Sequence, residues 1–426
     1  MDRDASTARR RTNWSGDITY EARRLLAPRS VEEAQAMVRE ARRLRPLGSG
    51  HTFNRIADTD GDQITLVDLP RRTHFDPTAM SVTVDGGQRY GDLCGPLDKA
   101  GFALHNLASL AHISIAGACA TGTHGSGQRN GMLATAIERV ELIGGDGALR
   151  TFSREDERFP GVATSLGALG VVTALTLRVE PTFDVAQYVD EDLPIDDALA
   201  DLDDILGSAY SVSLFLEWDR LVIDQVWRKV RVGRDDEARP RALARARPAD
   251  RERHPIRAVS PENSTPQRGI PGAWHERLPH FRLDHTPSVG EEFQSEYFVA
   301  RADGAAALEA LLAIRDRMRP AILVSEVRSI AGDDLWLSPA YQRDSVAFHF
   351  TWSQLPDEVD EALAAIERAL EPFDPRPHWG KRFVMAPDQL RARYAELPRF
   401  VELAGSLDPD GVFRNRFLDR YVFGSD

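Results

Sequence analysis

The chain has 426 residues, too many for one compact core, so about two or three domains are expected. Its composition is ordinary, 42% hydrophobic and 8% aromatic, and 53 basic against 66 acidic side chains leave a net charge of −13, which disfavours non-specific nucleic-acid binding. Two cysteines, Cys94 and Cys119, exclude a disulfide framework and fit a reducing compartment.

The N-terminus, MDRDASTARRRTNW, is charged and lacks the apolar stretch of a secretory signal. No run approaches the roughly 18 apolar residues of a membrane span. A soluble cytoplasmic enzyme with no membrane partner is expected, and the NST triplet at Asn263 then has no glycosylation role. Residues 30–44 read as a helix capped by Ser30, with Glu33 completing a capping box. A glycine loop follows, RPLGSGHTFN, which ends in no helix pattern. DQITLVDL and SVTVDGG read as strands, and YGDLCGPLDKAG as a helix ended by Gly101. Residues 106–127 are rich in small side chains, which let backbone approach a partner closely. RVELIGGDG reads as a strand and tight turn, and SLGALGVVTALTLRVEP as a turn entering a long strand.

After Pro181 acidic segments lead to the strands AYSVSLFLEW and VIDQVWRKV. Residues 228–257, rich in Arg, Ala and Pro, read as a solvated loop or ragged helix and not as a nucleic-acid arm, since acids interrupt them and no aromatics are interleaved. The helical GAAALEALLAIRDRM precedes two strands, AILVSEVRSI and SVAFHFTW. A last helix, EVDEALAAIERAL, leads to RPHWGKRF. The tail LDPDGVFRNRF reads as a turn and an extended segment.

In a strand, residues i and i+2 face the same way. Glu326 and Arg328 therefore share one face, and His349 and Thr351 share one face of the next strand, opposite Phe348, Phe350 and Trp352. If the two strands pair, four polar groups form one patch over an apolar layer. That patch is either a solvated sheet face or a binding surface for a many-hydroxyl ligand. No metal is expected: His275 and His280 are five apart with a proline between, and no CxxC occurs. Neither a Rossmann fingerprint nor a Walker loop is present. A nucleotide would be cradled by backbone N–H groups of the small-residue loops at 47–52, 109–127 and 165–172.

RPLGSGHTFN, HISIAGACATGTHGSG, SLGALGVVTALTLRVEP, HWGK and LDPDGVFRNRF together resemble the vanillyl-alcohol-oxidase-type FAD-linked oxidases along essentially the whole chain. WHERLPHF, QSEY, SEVRS, WLSPAY and FHFTW resemble the alditol oxidases among them. The resemblance implies an α+β, two-domain fold of the PCMH type. Residues 1–184 would bind FAD, residues 185–381 would form a cap built on a large antiparallel sheet, and residues 382–426 would return to the first domain.

It also implies that Gly48, Ser49, Gly50 and Thr52 contact FAD, and that His51 carries it covalently through the 8α-methyl group. Ser109, Ser114, Gly117, Ala118, Thr121, Gly122 and Thr123 match a second flavin loop, and Gly170, Val171 and Val172 the adenine side. Single attachment and an inert Cys119 are expected. Ser109, Glu326, Arg328, His349, Thr351 and Lys381 match the polyol-binding constellation. Arg328 and Lys381 would polarise the reacting oxygen, and either His349 or Lys381 would take its proton. Ala108 leaves room for oxygen at the ring, and Ala111 stands where the family carries proline. The implied reaction oxidises the terminal hydroxyl of a polyol and reduces O2 to H2O2 in a monomer. The alternatives are a sugar-lactone oxidase or dehydrogenase of the same fold, and a flavin-free sugar-binding protein.

Overall fold

Ser30 starts α1 (Val31–Glu40), its Oγ accepting from the Glu33 N–H at 3.2 Å. The Glu33 carboxylate reaches past Ser30 to the Arg29 N–H, 2.7 Å away, so the capping box does not close. The helix ends at Glu40 and not at residue 44, because Leu44–Pro46 is drawn into a strand. That strand pairs in parallel with Asp62–Ile64, the only part of DQITLVDL that is extended, and the Leu44 N–H donates to the Val412 carbonyl. The computed structural model describes residues 11–235, 238–284 and 292–425; the charged residues 1–10 lie outside them.

A five-stranded antiparallel sheet follows, from β1 (Thr73–Asp76), β2 (Ser81–Asp85), β3 (Ile137–Ile143), β4 (Leu149–Ser153) and β5 (Val171–Arg178), in the order β1-β2-β5-β3-β4. Its β-branched and leucine side chains, Val82, Val84, Val140, Leu175 and Leu177, share a core with Leu93 and Leu97 of α2 (Tyr90–Lys99). Gly101 ends α2 at φ +86°, a left-handed conformation that a side chain would oppose. The short α3 (Ile115–Ala120) interrupts the small-residue stretch.

The second sheet is nine-stranded. Its main strands are β6 (Asp184–Pro194), β7 (Ser211–Leu216), β8 (Val222–Arg231), β9 (Glu292–Ala300), β10 (Ile322–Ile330) and β11 (Ser345–Ser353). They run in the order β6-β8-β7-β10-β11-β9, all antiparallel. One face is apolar: Val327, Val346, Phe348, Phe350 and Trp352 pack under α4 (Gly304–Ala313) and α5 (Pro356–Leu370) through Leu308, Leu311, Leu363 and Ile366. The other face turns toward the glycine loops of the first part of the chain. The architecture is α+β with a large antiparallel sheet, as expected.

Two further expectations are corrected. The Arg-rich segment is not simply solvated. Arg239 pairs with Asp190 and Arg253 with Glu191, each at 2.7 Å, and Arg257 with Asp224 at 2.7 Å, so the acids of and near β6 neutralise it. The tail is helical where an extended segment was expected. After the turn at Asp408–Gly411, Asn415 Oδ1 accepts from the Leu418 N–H at 2.9 Å and caps the helical turns through Phe423. Phe417 and Leu418, with Phe400 and Leu403 of α6 (Leu397–Leu407), bury in the core of the first sheet. Among the described residues no helix is long and apolar enough to cross a membrane.

Candidate active site

A cavity of about 570 Å³ lies between the glycine loops and the polar face of the large sheet. Hydrogen bonds between loops assemble its floor. The Ser49 N–H donates to Ser114 Oγ and the Ser114 N–H to Ser49 Oγ, both at 3.3 Å. A Cβ on Gly48 would stand 2.2 Å from Ser114 Oγ, so only glycine lets these loops meet. Gly50 takes φ +67° and turns His51 inward, where its ring centroid lies 4.3 Å from that of Trp14. Burial above all, with the nearby Lys381 charge, pushes His51 down to about 4, so its imidazole is neutral.

The sheet supplies the roof. Register places Glu326 of β10 and Glu296 of β9 on either side of His349 of β11, and Thr351 beside Gln294. Lys381 arrives from the segment after the sheet, held by Asn54, whose Nδ2 donates to the carbonyls of Trp379 and Lys381 at 2.7 and 2.8 Å. The loop of His51 is thus tied to that of Lys381. Arg328 NH1 reaches Ser109 Oγ at 3.5 Å, joining floor to roof.

The charges are paired. Glu296 Oε2 accepts from Lys381 Nζ at 2.7 Å, and its Oε1 lies 3.4 Å from Arg328 and 3.2 Å from His124 Nε2. Burial raises the Glu296 carboxyl, but Lys381, His124 and Arg328 outweigh it and hold the group well below the carboxylate range. Glu326 is held low in the same way, against burial, by Arg328 and His280. Lys381 is lowered by burial, and Glu296 opposes the shift. Burial and Lys381 push His349 to about 3, so it is neutral. Gln294 Nε2 donates to Glu292 at 2.7 Å, which turns Gln294 Oε1 toward His349 Nε2 at 3.1 Å. His349 therefore donates through Nε2 and keeps a lone pair on Nδ1.

The cavity is lined by Gly48, Ser49, Gly50, His51, Thr52, Ser109, Ser114, Gly117, Ala118, Thr121, Thr123, Gly170, Val171 and Val172, and by Glu326, Arg328, His349, Thr351 and Lys381. Gly122 does not line it; its turn, at φ +71°, packs against Pro339. Cys119 is buried beside Tyr90, and burial pushes its thiol up to about 12. Residue-type reasoning missed Glu296, Gln294, His124, His280 and His378, all of which line the same space. Glu296 and Gln294 were findable, because FQSEYF alternates on the same two-residue period as FHFT.

The floor fits a dinucleotide. It combines backbone that admits no Cβ, the small residues Ala108, Ala116 and Ala118, and a buried Thr52 Oγ1 with no protein partner. A family profile described as "FAD binding domain" matches residues 22–153, and one described as "D-arabinono-1,4-lactone oxidase" matches residues 289–421. An alditol oxidase from Streptomyces sp. is 47% identical over 410 residues, which cover 96% of this chain and 97% of that protein. The chain belongs to the alditol oxidase family.

As a member of these FAD-linked oxidases of the vanillyl-alcohol-oxidase type, it uses FAD. An L-gulono-1,4-lactone dehydrogenase from Mycobacterium tuberculosis is more distant from this alditol oxidase family member. It is 28% identical, over 96% of this chain and 98% of that one. The fold matches a cholesterol oxidase from Brevibacterium sterolicum with a TM-score of 0.76, at 15% identity and over 97% of this chain and 96% of that one.

Proposed function

We propose that the protein is an FAD-dependent oxidase that converts the terminal hydroxyl of alditols, of the xylitol and sorbitol class, to the aldose while O2 becomes H2O2. The observation that carries this reading is the polar sheet face, with two cations, two carboxylates and a neutral imidazole turned toward a glycine-loop cradle. Bound here, FAD would supply the two-electron acceptor for the C1 hydride and the means of reducing O2. Arg328 and Lys381 polarise the C1 oxygen and stabilise developing alkoxide charge. His349 Nδ1 accepts the hydroxyl proton. Glu326, Thr351 and Ser109 hold the next hydroxyls, and each such group left unpaired costs about 1–3 kcal/mol, which selects against short alcohols.

On the cofactor side we assign Gly48, Ser49, Gly50 and Thr52, with Ser114, Gly117, Ala118, Thr121 and Thr123, to the flavin and its pyrophosphate. Val171 and Val172 take the adenine side. His51 is assigned to a covalent link through its ring; its neutral, half-buried imidazole in a glycine-framed loop supports this. Two free, buried cysteines support a reducing, cytoplasmic setting.

The second reading, a sugar-lactone oxidase or dehydrogenase, is favoured by the profile match over residues 289–421. Peroxide release separates the two. Xylitol is expected to support turnover and an aldonolactone to support far less; turnover with the lactone alone would sink the polyol reading.

A further inference from the structure

His280 stands outside the expected polyol constellation, yet it hydrogen-bonds Glu326. Its ring is buried, edge-on to Phe215 and Trp227 at centroid distances of 5.5 and 5.4 Å, and its backbone N–H donates to the Ser109 carbonyl at 3.1 Å. Nε2 lies 2.7 Å from Glu326 Oε1. A contact that short needs one proton between the two atoms. Glu326 is an ionised carboxylate and burial holds the imidazole neutral, at about 4, so the single ring proton sits on Nε2. Nδ1 is then an acceptor. Lys229 Nζ, 3.1 Å from it, is the donor, and the same ammonium donates to the carbonyls of Leu278 and Pro279.

Arg328 Nε approaches the same Oε1, at 3.4 Å. Both partners of Glu326 therefore lie on one oxygen. Among the described residues no protein donor reaches Oε2, and the side chain lines the cavity. By contrast, Glu296 spends both oxygens on cations.

We propose that Lys229 and His280 are positioning residues that lock Glu326 with Oε2 presented to the hydroxyls of a polyol beyond the oxidised carbon, and so set the preference for longer chains. This rests on the polyol reading above. The relay consists of donated hydrogen bonds only: Lys229 to His280, His280 to Glu326, and the substrate hydroxyls to Glu326. No proton is transferred along it.

Two substitutions at one position separate orientation from packing. His280→Asn keeps an oxygen for Lys229 near Nδ1 and loses the donor to Glu326. His280→Gln carries an amide nitrogen near the place of Nε2. His280→Asn is expected to raise KM for xylitol and sorbitol about 10-fold, the factor for one charge-assisted hydrogen bond, with kcat and flavin content within twofold of wild type. Glycerol, which offers Glu326 fewer hydroxyls than xylitol does, is expected to lose less in kcat/KM, under about threefold, and His280→Gln to return the xylitol KM to within about threefold of wild type.

A merely structural role would move kcat, flavin content and the glycerol rate together, and both variants alike. The proposal is overturned by a xylitol KM within twofold of wild type in His280→Asn, by equal damage in the two variants, or by equal penalties for glycerol and xylitol. Lys229→Met provides an independent arm with the same xylitol-selective rise expected, and its absence there also overturns the relay. Wild-type protein that oxidises no polyol refutes the polyol reading and this role with it; active wild type with unaffected variants refutes the relay alone.

Discussion

Replacing Glu296 by glutamine tests the electrostatic core of the site. The carboxylate is fully buried and bears Lys381 at 2.7 Å, His124 at 3.2 Å and Arg328 at 3.4 Å. The amide would keep the volume and remove the charge. Breaking a buried ion pair by deleting one partner costs about 3–5 kcal/mol, so a clear drop in unfolding free energy is expected by denaturant titration. Catalysis suffers separately. Burial already lowers the Lys381 ammonium and Glu296 opposes that shift, so its loss lets the amine deprotonate. Removing one oriented charge from the reacting oxygen costs roughly 100- to 1,000-fold in kcat, read by peroxide release with saturating xylitol. The deficit is expected to grow with rising pH, as the destabilised Lys381 loses its proton.

The acid side has the opposite sign. The folded Glu296 carboxyl is held below its unfolded value, so its stabilisation is full above about pH 4.3, the unfolded carboxyl value, and is lost as pH falls further. Glu296→Gln should flatten that acid limb. A variant with wild-type kcat and wild-type denaturation midpoint would refute the assignment of Glu296 as counter-ion to Lys381.

Three further outcomes are expected. Denatured wild-type chain should carry flavin fluorescence on a gel and His51→Ala should not; fluorescence retained by His51→Ala would remove the covalent assignment. Gly48→Ala puts a Cβ 2.2 Å from Ser114 Oγ, so it should cost about 1–3 kcal/mol and lower the flavin bound per chain, read by visible absorbance. Normal loading would show that the loops can part. Arg45 donates to the carbonyls of Ile56, Leu166, Gly167 and Phe413 at 2.7 to 2.9 Å, so Arg45→Met should destabilise the fold by about 3 kcal/mol or more; an unchanged melting temperature would contradict that tie between loops.

Much of the site was legible because strand periodicity is strict. Glu326 with Arg328, and His349 with Thr351, follow from i, i+2 alone, and Phe348, Phe350 and Trp352 identify the opposite face as core. The same rule reaches Glu296 through FQSEYF. His280 carries no such signal. It sits in a loop after a proline, and its neighbour Lys229 lies on β8, with no pattern linking the two. The tail misled for a different reason: Asn415 was read as part of an extended segment, whereas its side chain caps a helical turn and also donates to the carbonyls of Ile56 and Asp58.

Local chemistry alone determined strands such as β5, β10 and β11, which of their faces are polar, and where glycine is needed, since these depend on backbone sterics and on a period of two, whereas β6 carried no such local signal. Where α1 stops, how the basic segment is neutralised, and which carboxylate each cation meets were decided by tertiary structure. Those outcomes depend on partners far away in the chain: Leu44 bonds to Val412, Arg253 to Glu191, and Lys381 to Glu296. A buried charge takes its partner from whatever the fold brings within hydrogen-bond reach, and sequence spacing does not encode that distance.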